Sequence, residues 1–160
     1  MADYGKALEQ GIEAAKRAEA AKREIADVFE DLKIQVLAAT SGRVLITVKE
    51  REGMDLMEAM RRMPGLLRIP SQFVSMEAHE PYRISACNPT TKQGNDFALA
   101  FLELDPAGYP CTISWGDRTN VCRDKEAVSE CLAELLTDPT VGQQLYVLTR
   151  LKPSTAPENN

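Results

Sequence analysis

The stretch from Phe97 to Cys122 leaves this chain little choice of architecture. Phe97 to Leu104 is a nearly unbroken apolar run, long enough for one buried strand. Asp105-Pro106-Ala107-Gly108 then offers the residues of a type I turn, with aspartate first, proline second and glycine fourth. Cys111 to Trp115 and Thr119 to Cys122 are two further strand-forming runs, joined at Gly116-Asp117. Strands joined by such short turns run antiparallel, because a parallel pair needs a crossover of a dozen or more residues. A three-stranded meander is therefore expected at the centre of a sheet.

The turn at Gly116-Asp117 also predicts a register. With a two-residue loop, glycine at the first central position suits a type II′ turn and Trp115 pairs with Arg118. Counting back opposes Ser114 to Thr119, Ile113 to Asn120, Thr112 to Val121 and Cys111 to Cys122. A three-residue loop would instead oppose Ile113 to Val121 and Trp115 to Thr119, a better apolar face, and would set Cys122 against Thr112. Turn chemistry favours the first, with Cys111 and Cys122 as adjacent free thiols.

Helices flank this centre. Asp3 to Leu32 is Ala, Glu, Lys and Arg without proline, which predicts a long helix. Ile25, Val28, Phe29 and Leu32 fall at i, i+3, i+4 and i+7, a core-facing stripe, whereas Leu8 and Ile12 are followed only by Ala15, Ala18 and Ala21. That thinner first half is expected either to project from the domain or to lie against another helix. At the other end, Asp124 is a candidate N-cap for a helix with Val128, Cys131, Leu132, Leu135 and Leu136 on one face. Asp138-Pro139 restarts the chain with a cap and a proline at the first helical position, and Val141, Leu145, Leu148 and Leu151 supply the next face.

Between these regions, Ile34 to Ala39 and Val44 to Lys49 are rich in β-branched residues around Thr40-Ser41-Gly42-Arg43, which predicts a hairpin. Met54, Leu56, Met57, Ala59, Met60 and Met63 predict a short amphipathic helix stopped at Pro64-Gly65. Phe73 to Met76 and Arg83 to Cys87 are candidate strands interrupted by Glu80-Pro81, and Asn88 to Asp96 has turn-forming composition. No internal repeat is evident. The expected fold is α+β: an antiparallel sheet of about five or six strands, with the long N-terminal helix and a C-terminal helix pair packed on one face, in a single domain over residues 1–152. Residues 1–32 form its N-terminal helix, and 153–160 have the composition of a disordered tail.

Composition removes several functional classes. The 160 residues are 44% apolar and 27% charged, which suits an ordinary globular domain rather than a disordered or fibrous chain. No apolar run reaches the roughly 18 residues that span a bilayer, and MADYGKALEQ lacks the apolar core of a signal peptide, so a cytoplasmic protein without a membrane partner is expected. The formal charge of −5 does not suit a general nucleic-acid binder. It is unevenly spread: residues 1–32 carry 5 basic and 8 acidic side chains, and residues 33–70 carry 7 and 4. Four cysteines without a CxxC pair do not make a disulfide scaffold or a zinc site.

Chemistry is equally constrained. His79 is the only histidine, which excludes any site built on two imidazoles. Glu77, His79 and Glu80 are close in sequence and could join Cys87 in a small enzyme or ligand site, but a solvated histidine beside a turn explains them as well. No phosphate-cradling glycine motif, dinucleotide fingerprint or nucleophile elbow occurs, and no cofactor or metal is implied. Two features suit a protein partner. One is Met54, Met57 and Met60 with Arg61, Arg62 and Arg68, since thioethers adapt to a surface and guanidinium groups pair with carboxylates. The other is Trp115 with Arg118 at the hairpin tip.

The expected function is a non-enzymatic protein-binding module of the inhibitor, immunity or accessory kind, with another protein as its partner. A small enzyme or ligand-binding domain is the alternative, and a homodimer assembled through the N-terminal helix is a third.

Overall fold

The computed structural model describes residues 1–50, 81–92 and 95–154. Helix α1 spans Tyr4–Ala39. Asp3 starts it, its carboxylate accepting the Lys6 backbone N–H at 3.1 Å. The predicted strand over Ile34 to Ala39 is not formed, because the helix runs through these residues. Ile25, Phe29, Leu32 and Val36 lie on one helical face and pack on the core, and that burial overrides the weak β preference of the branched residues. The chain does reverse at Thr40-Ser41-Gly42-Arg43, but as a helix C-cap. Ser41 and Gly42 take φ of 53° and 79°, and the Gly42 N–H donates to the Leu37 carbonyl at 2.8 Å.

Five strands follow: β1 (Leu45–Lys49), β2 (Tyr82–Cys87), β3 (Asp96–Asp105), β4 (Gly108–Trp115) and β5 (Arg118–Cys122). They form one sheet in chain order, with every neighbouring pair antiparallel. The two tight turns fall where the sequence placed them. Asp105 pairs with Gly108, and the Ala107 N–H donates to the Asp105 carboxylate at 2.9 Å. Trp115 pairs with Arg118 and Cys111 with Cys122, which is the two-residue register. Gly116 has φ of 56° while Asp117 does not take a positive φ, as a type II′ turn requires.

Helices α2 (Lys125–Thr137) and α3 (Pro139–Arg150) complete the chain. Asp124 caps the first, accepting the Ala127 N–H at 2.8 Å, and Asp138 caps the second with Pro139 at its start. The fold is thus α+β, with a long N-terminal helix, a five-stranded antiparallel sheet and two C-terminal helices. A single buried cluster joins the helix residues Ile25, Phe29, Val128, Leu132, Leu135 and Leu148 to the sheet residues Ile46, Ile84, Leu102 and Ile113. Alternate residues of β1 and β4 face the helices, as period-two geometry demands, while β2 and β3 break the alternation at the irregularity beside Ile84 and Ser85.

One close contact fixes how α1 sits on the sheet. Gly108 opens β4 at φ of 89°, and a Cβ added there would come within 2.6 Å of the Ala21 Cβ and 3.2 Å of the Lys22 backbone nitrogen. Only glycine fits. N-terminal to this contact, residues 1–17 are all exposed. The predicted helix across Met54 to Met63 and the strand at Phe73 to Met76 lie outside the described residues. Among the described residues no helix is long and apolar enough to cross a membrane.

Candidate functional site

Among the described residues, the first half of α1 exposes three large apolar side chains on one helix. Tyr4, Leu8 and Ile12 are 82%, 65% and 47% exposed, three large apolar side chains at successive i, i+4 spacings. They belong to a seven-residue repeat. With Leu8 at position a, Tyr4 and Gly11 occupy d and Ala15 occupies the next a. Every charged residue between Tyr4 and Ala18, namely Lys6, Glu9, Glu13, Lys16 and Arg17, falls at b, c or f. The a, d, e and g positions hold only Tyr, Gly, Ala, Leu and Ile, about four-sevenths of the circumference. A surface helix normally turns such a face toward a core.

Lys22 interrupts the repeat at position a, and it resumes through Ile25 (d), Phe29 (a), Leu32 (d) and Val36 (a), which pack into the body. Residues 1–17 are exposed on every side of the helix, N-terminal to the point where Ala21 meets Gly108. The Glu13 to Lys16 ion pair at 3.3 Å lies on the charged side and supports the helix only slightly, since both groups are solvated.

The hairpin tip is arranged differently from a free contact surface. Trp115 is 5% exposed and packs in the core, with its indole N–H donating to the Asp138 Oδ2 at 3.4 Å. The other oxygen of that carboxylate accepts the Thr140 and Val141 N–H groups at 2.9 and 3.3 Å. The Asp138 carboxyl is held below the usual range, chiefly by the Val141 N–H, with help from the Thr140 N–H, the indole and the Arg118 charge. This network ties the β4–β5 turn to the start of α3. The exposed side chains at the tip are Asp117 and Arg118, so a partner meeting this turn would touch those two rather than the indole.

Three of the four thiols gather between sheet and helix. Cys111 and Cys122 are cross-strand partners, and Cys131 reaches them from α2. Asn120 donates its amide to the Cys131 Sγ at 3.5 Å, and the Cys122 thiol points at the Ala127 carbonyl at 3.6 Å. Burial raises Cys111 to about 11 and Cys122 to about 12, and also raises Cys131. A thiol held protonated well above neutral pH is a poor nucleophile. Cys87, at the end of β2, is half-buried. Its thiol is raised first by burial and then by the Asp96 charge, against a lowering by Lys49, so it is not primed for attack either. Under native conditions at pH 8 an alkylating reagent is expected to label Cys87 first, with Cys111, Cys122 and Cys131 reacting only on unfolding. Peptide mapping by mass spectrometry checks this, and fast labelling of Cys122 in the folded protein would contradict the packing.

Met54, Met57, Met60, Arg61, Arg62 and Arg68, and with them Glu77, His79 and Glu80, lie outside the described residues. Of the residues singled out in the sequence, the structure therefore places Trp115, Arg118 and Cys87. Trp115 and Arg118 share the Asp138 network, while Cys87 sits elsewhere on the sheet, opposite Leu45 and Asp96. Among the described residues no group of three or more His, Cys, Asp or Glu side chains is disposed to hold a metal ion.

Comparison with protein-family models, curated proteins and solved structures found no match. Function must accordingly be argued from the surface itself. There, the residues that sequence reasoning undervalued are Tyr4 and Gly11. Reading Leu8 and Ile12 as the head of an alanine-lined stripe missed that charge is wholly excluded from four heptad positions, a signal a seven-residue count would have exposed.

Proposed function

We propose that this protein is a non-enzymatic protein-binding module acting through surface complementarity, and that the exposed half of α1 is a contact surface of it. One observation carries the reading: an apolar face of about four turns, free of charge at a, d, e and g, lies open to water. Large exposed apolar patches rimmed by polar residues mark association sites. A helix of this length has little stability without packing of its apolar face, so a partner that covers residues 4–18 would also stabilise them.

The test uses the full chain and a Leu8→Glu/Ile12→Glu variant, both recovered from the native host under gentle conditions. The wild type is expected to migrate as a stoichiometric complex, whether with a second copy or with another protein. The variant is expected to migrate as a monomer with unchanged circular dichroism and melting temperature. Equal complex formation by both chains would refute the assignment of this surface, and a monomeric wild type would refute the binding reading itself.

A further inference from the structure

We infer that the partner of the exposed α1 face is the same segment of a second copy, packed antiparallel with its two-fold axis at Gly11. The inference rests on the binding reading above and adds the identity and orientation of the occupant.

Three observations converge on it. The first is charge. Because a, d, e and g are uncharged from Tyr4 to Ala18, two identical helices meet without the like-charge contacts that self-pairing usually has to avoid. A foreign partner chosen by charge would leave complementary ions at e and g, and there are none.

The second is size. The large residues Tyr4, Leu8 and Ile12 occupy one end of the free segment, and the small residues Ala14, Ala15 and Ala18 the other. A parallel pair sets Tyr4 on Tyr4 and Leu8 on Leu8, then leaves alanine on alanine, so no single interaxial distance fits both ends. An antiparallel pair sets Tyr4 across from Ala18 and Leu8 across from Ala14 and Ala15. Tyr4 and Leu8 then fill the space beside alanines, and Ile12 lies next to the two-fold axis at Gly11.

The third is Gly11. A Cβ added there meets nothing within 4 Å, so the isolated chain offers no packing reason for glycine inside a helix, where it is less favourable than alanine. At a helix crossing the same residue lets two backbones approach closely. Its position also fits. The helix is exposed from Tyr4 to Arg17 and becomes half-buried at Ala18, as it approaches the contact of Ala21 with Gly108 of its own sheet. The midpoint of the fully exposed stretch of the helix lies at residues 10–11, so a two-fold axis at Gly11 uses nearly all of it. Such an interface is isologous and closed, giving a dimer rather than a chain of molecules.

The experiment uses the full-length chain with Cys87→Ser, which leaves only buried thiols. Light scattering over a dilution series is expected to show a dimer that dissociates on dilution, with Leu8→Glu weakening it roughly tenfold or more. Orientation is read from engineered cysteines under mild oxidation. Gly11→Cys chains are expected to crosslink to one another, as is an equimolar mixture of Tyr4→Cys and Ala18→Cys chains. Tyr4→Cys chains alone are expected not to crosslink, since 14 helical residues, about 21 Å, separate the two sites in an antiparallel pair. Crosslinking of Tyr4→Cys to itself would establish a parallel pair and overturn the inference. A chain that stays monomeric at all concentrations, yet binds a different protein through Leu8 and Ile12, would overturn it while leaving the binding module intact. A monomeric chain indifferent to Leu8→Glu in every binding assay would remove both.

Discussion

Replacing Gly108 by valine is expected to destabilise the fold by roughly 2–5 kcal/mol, the sum of about 1–2 kcal/mol for a branched residue held at positive φ and about 1–3 kcal/mol for overpacking. At φ of 89° the new Cβ would stand 2.6 Å from the Ala21 Cβ, so either α1 lifts from the start of β4 or the strand moves. For a chain of this size that corresponds to a fall in melting temperature of roughly 5–20 °C. The two causes separate in a double variant. Ala21→Gly in the same chain removes the 2.6 Å contact but leaves the 3.2 Å approach to the Lys22 backbone nitrogen and the backbone strain, so it is expected to recover only part of the loss. A Gly108→Val protein melting within a degree or two of the wild type would show that α1 does not seat on β4 as described.

The second large effect divides α1 into its two functional halves. Phe29 is buried against the sheet, and Phe29→Ala is expected to cost about 3–5 kcal/mol through lost transfer energy and the cavity left behind. Leu8→Ala, made in the same helix and the same heptad position, is expected to change stability by no more than about 0.5 kcal/mol when measured on dilute monomer. Alanine is a slightly better helix former than leucine, and Leu8 touches no core. At high concentration the ranking changes. Leu8→Ala then lowers the apparent melting temperature, because association contributes to stability by mass action. Denaturant titrations of both variants at two protein concentrations test this directly. A large, concentration-independent loss for Leu8→Ala would place that residue in the core and end the argument for a free apolar face.

Much of this architecture was readable from local chemistry. Asp124 and Asp138 have side chains that satisfy the first N–H groups of helices, and Pro139 suits a first turn where its missing N–H leaves no bond unmade, so two helix starts were marked by single residues. The register of β4 and β5 was favoured by Gly116, because a type II′ turn needs positive φ at that one position, and the two-residue loop that the chain adopts sets Cys111 beside Cys122 rather than opposing Ile113 to Val121.

Tertiary structure decided the rest. Ile34 to Ala39 carries β-branched residues that suit a strand, and Thr40-Ser41-Gly42 ends a helix as readily as it closes a hairpin. Helix won because Leu32 and Val36 continue a face that the sheet buries. Cys131 joined the other two thiols only because α2 crosses β5, which no spacing along the chain encodes. Trp115 had the composition of a contact residue, yet its ring was drawn inward by a carboxylate more than twenty positions away. The sequence alone determined the starts of α2 and α3, the two turns of the β3–β5 meander and the apolar face of each helix, since those depend on residues within a few positions of one another. Whether an apolar face would be buried or left open depended on what the folded sheet could reach. It covers α1 from Ile25 onward and stops where Gly108 meets Ala21, leaving the first four turns to water or to a partner.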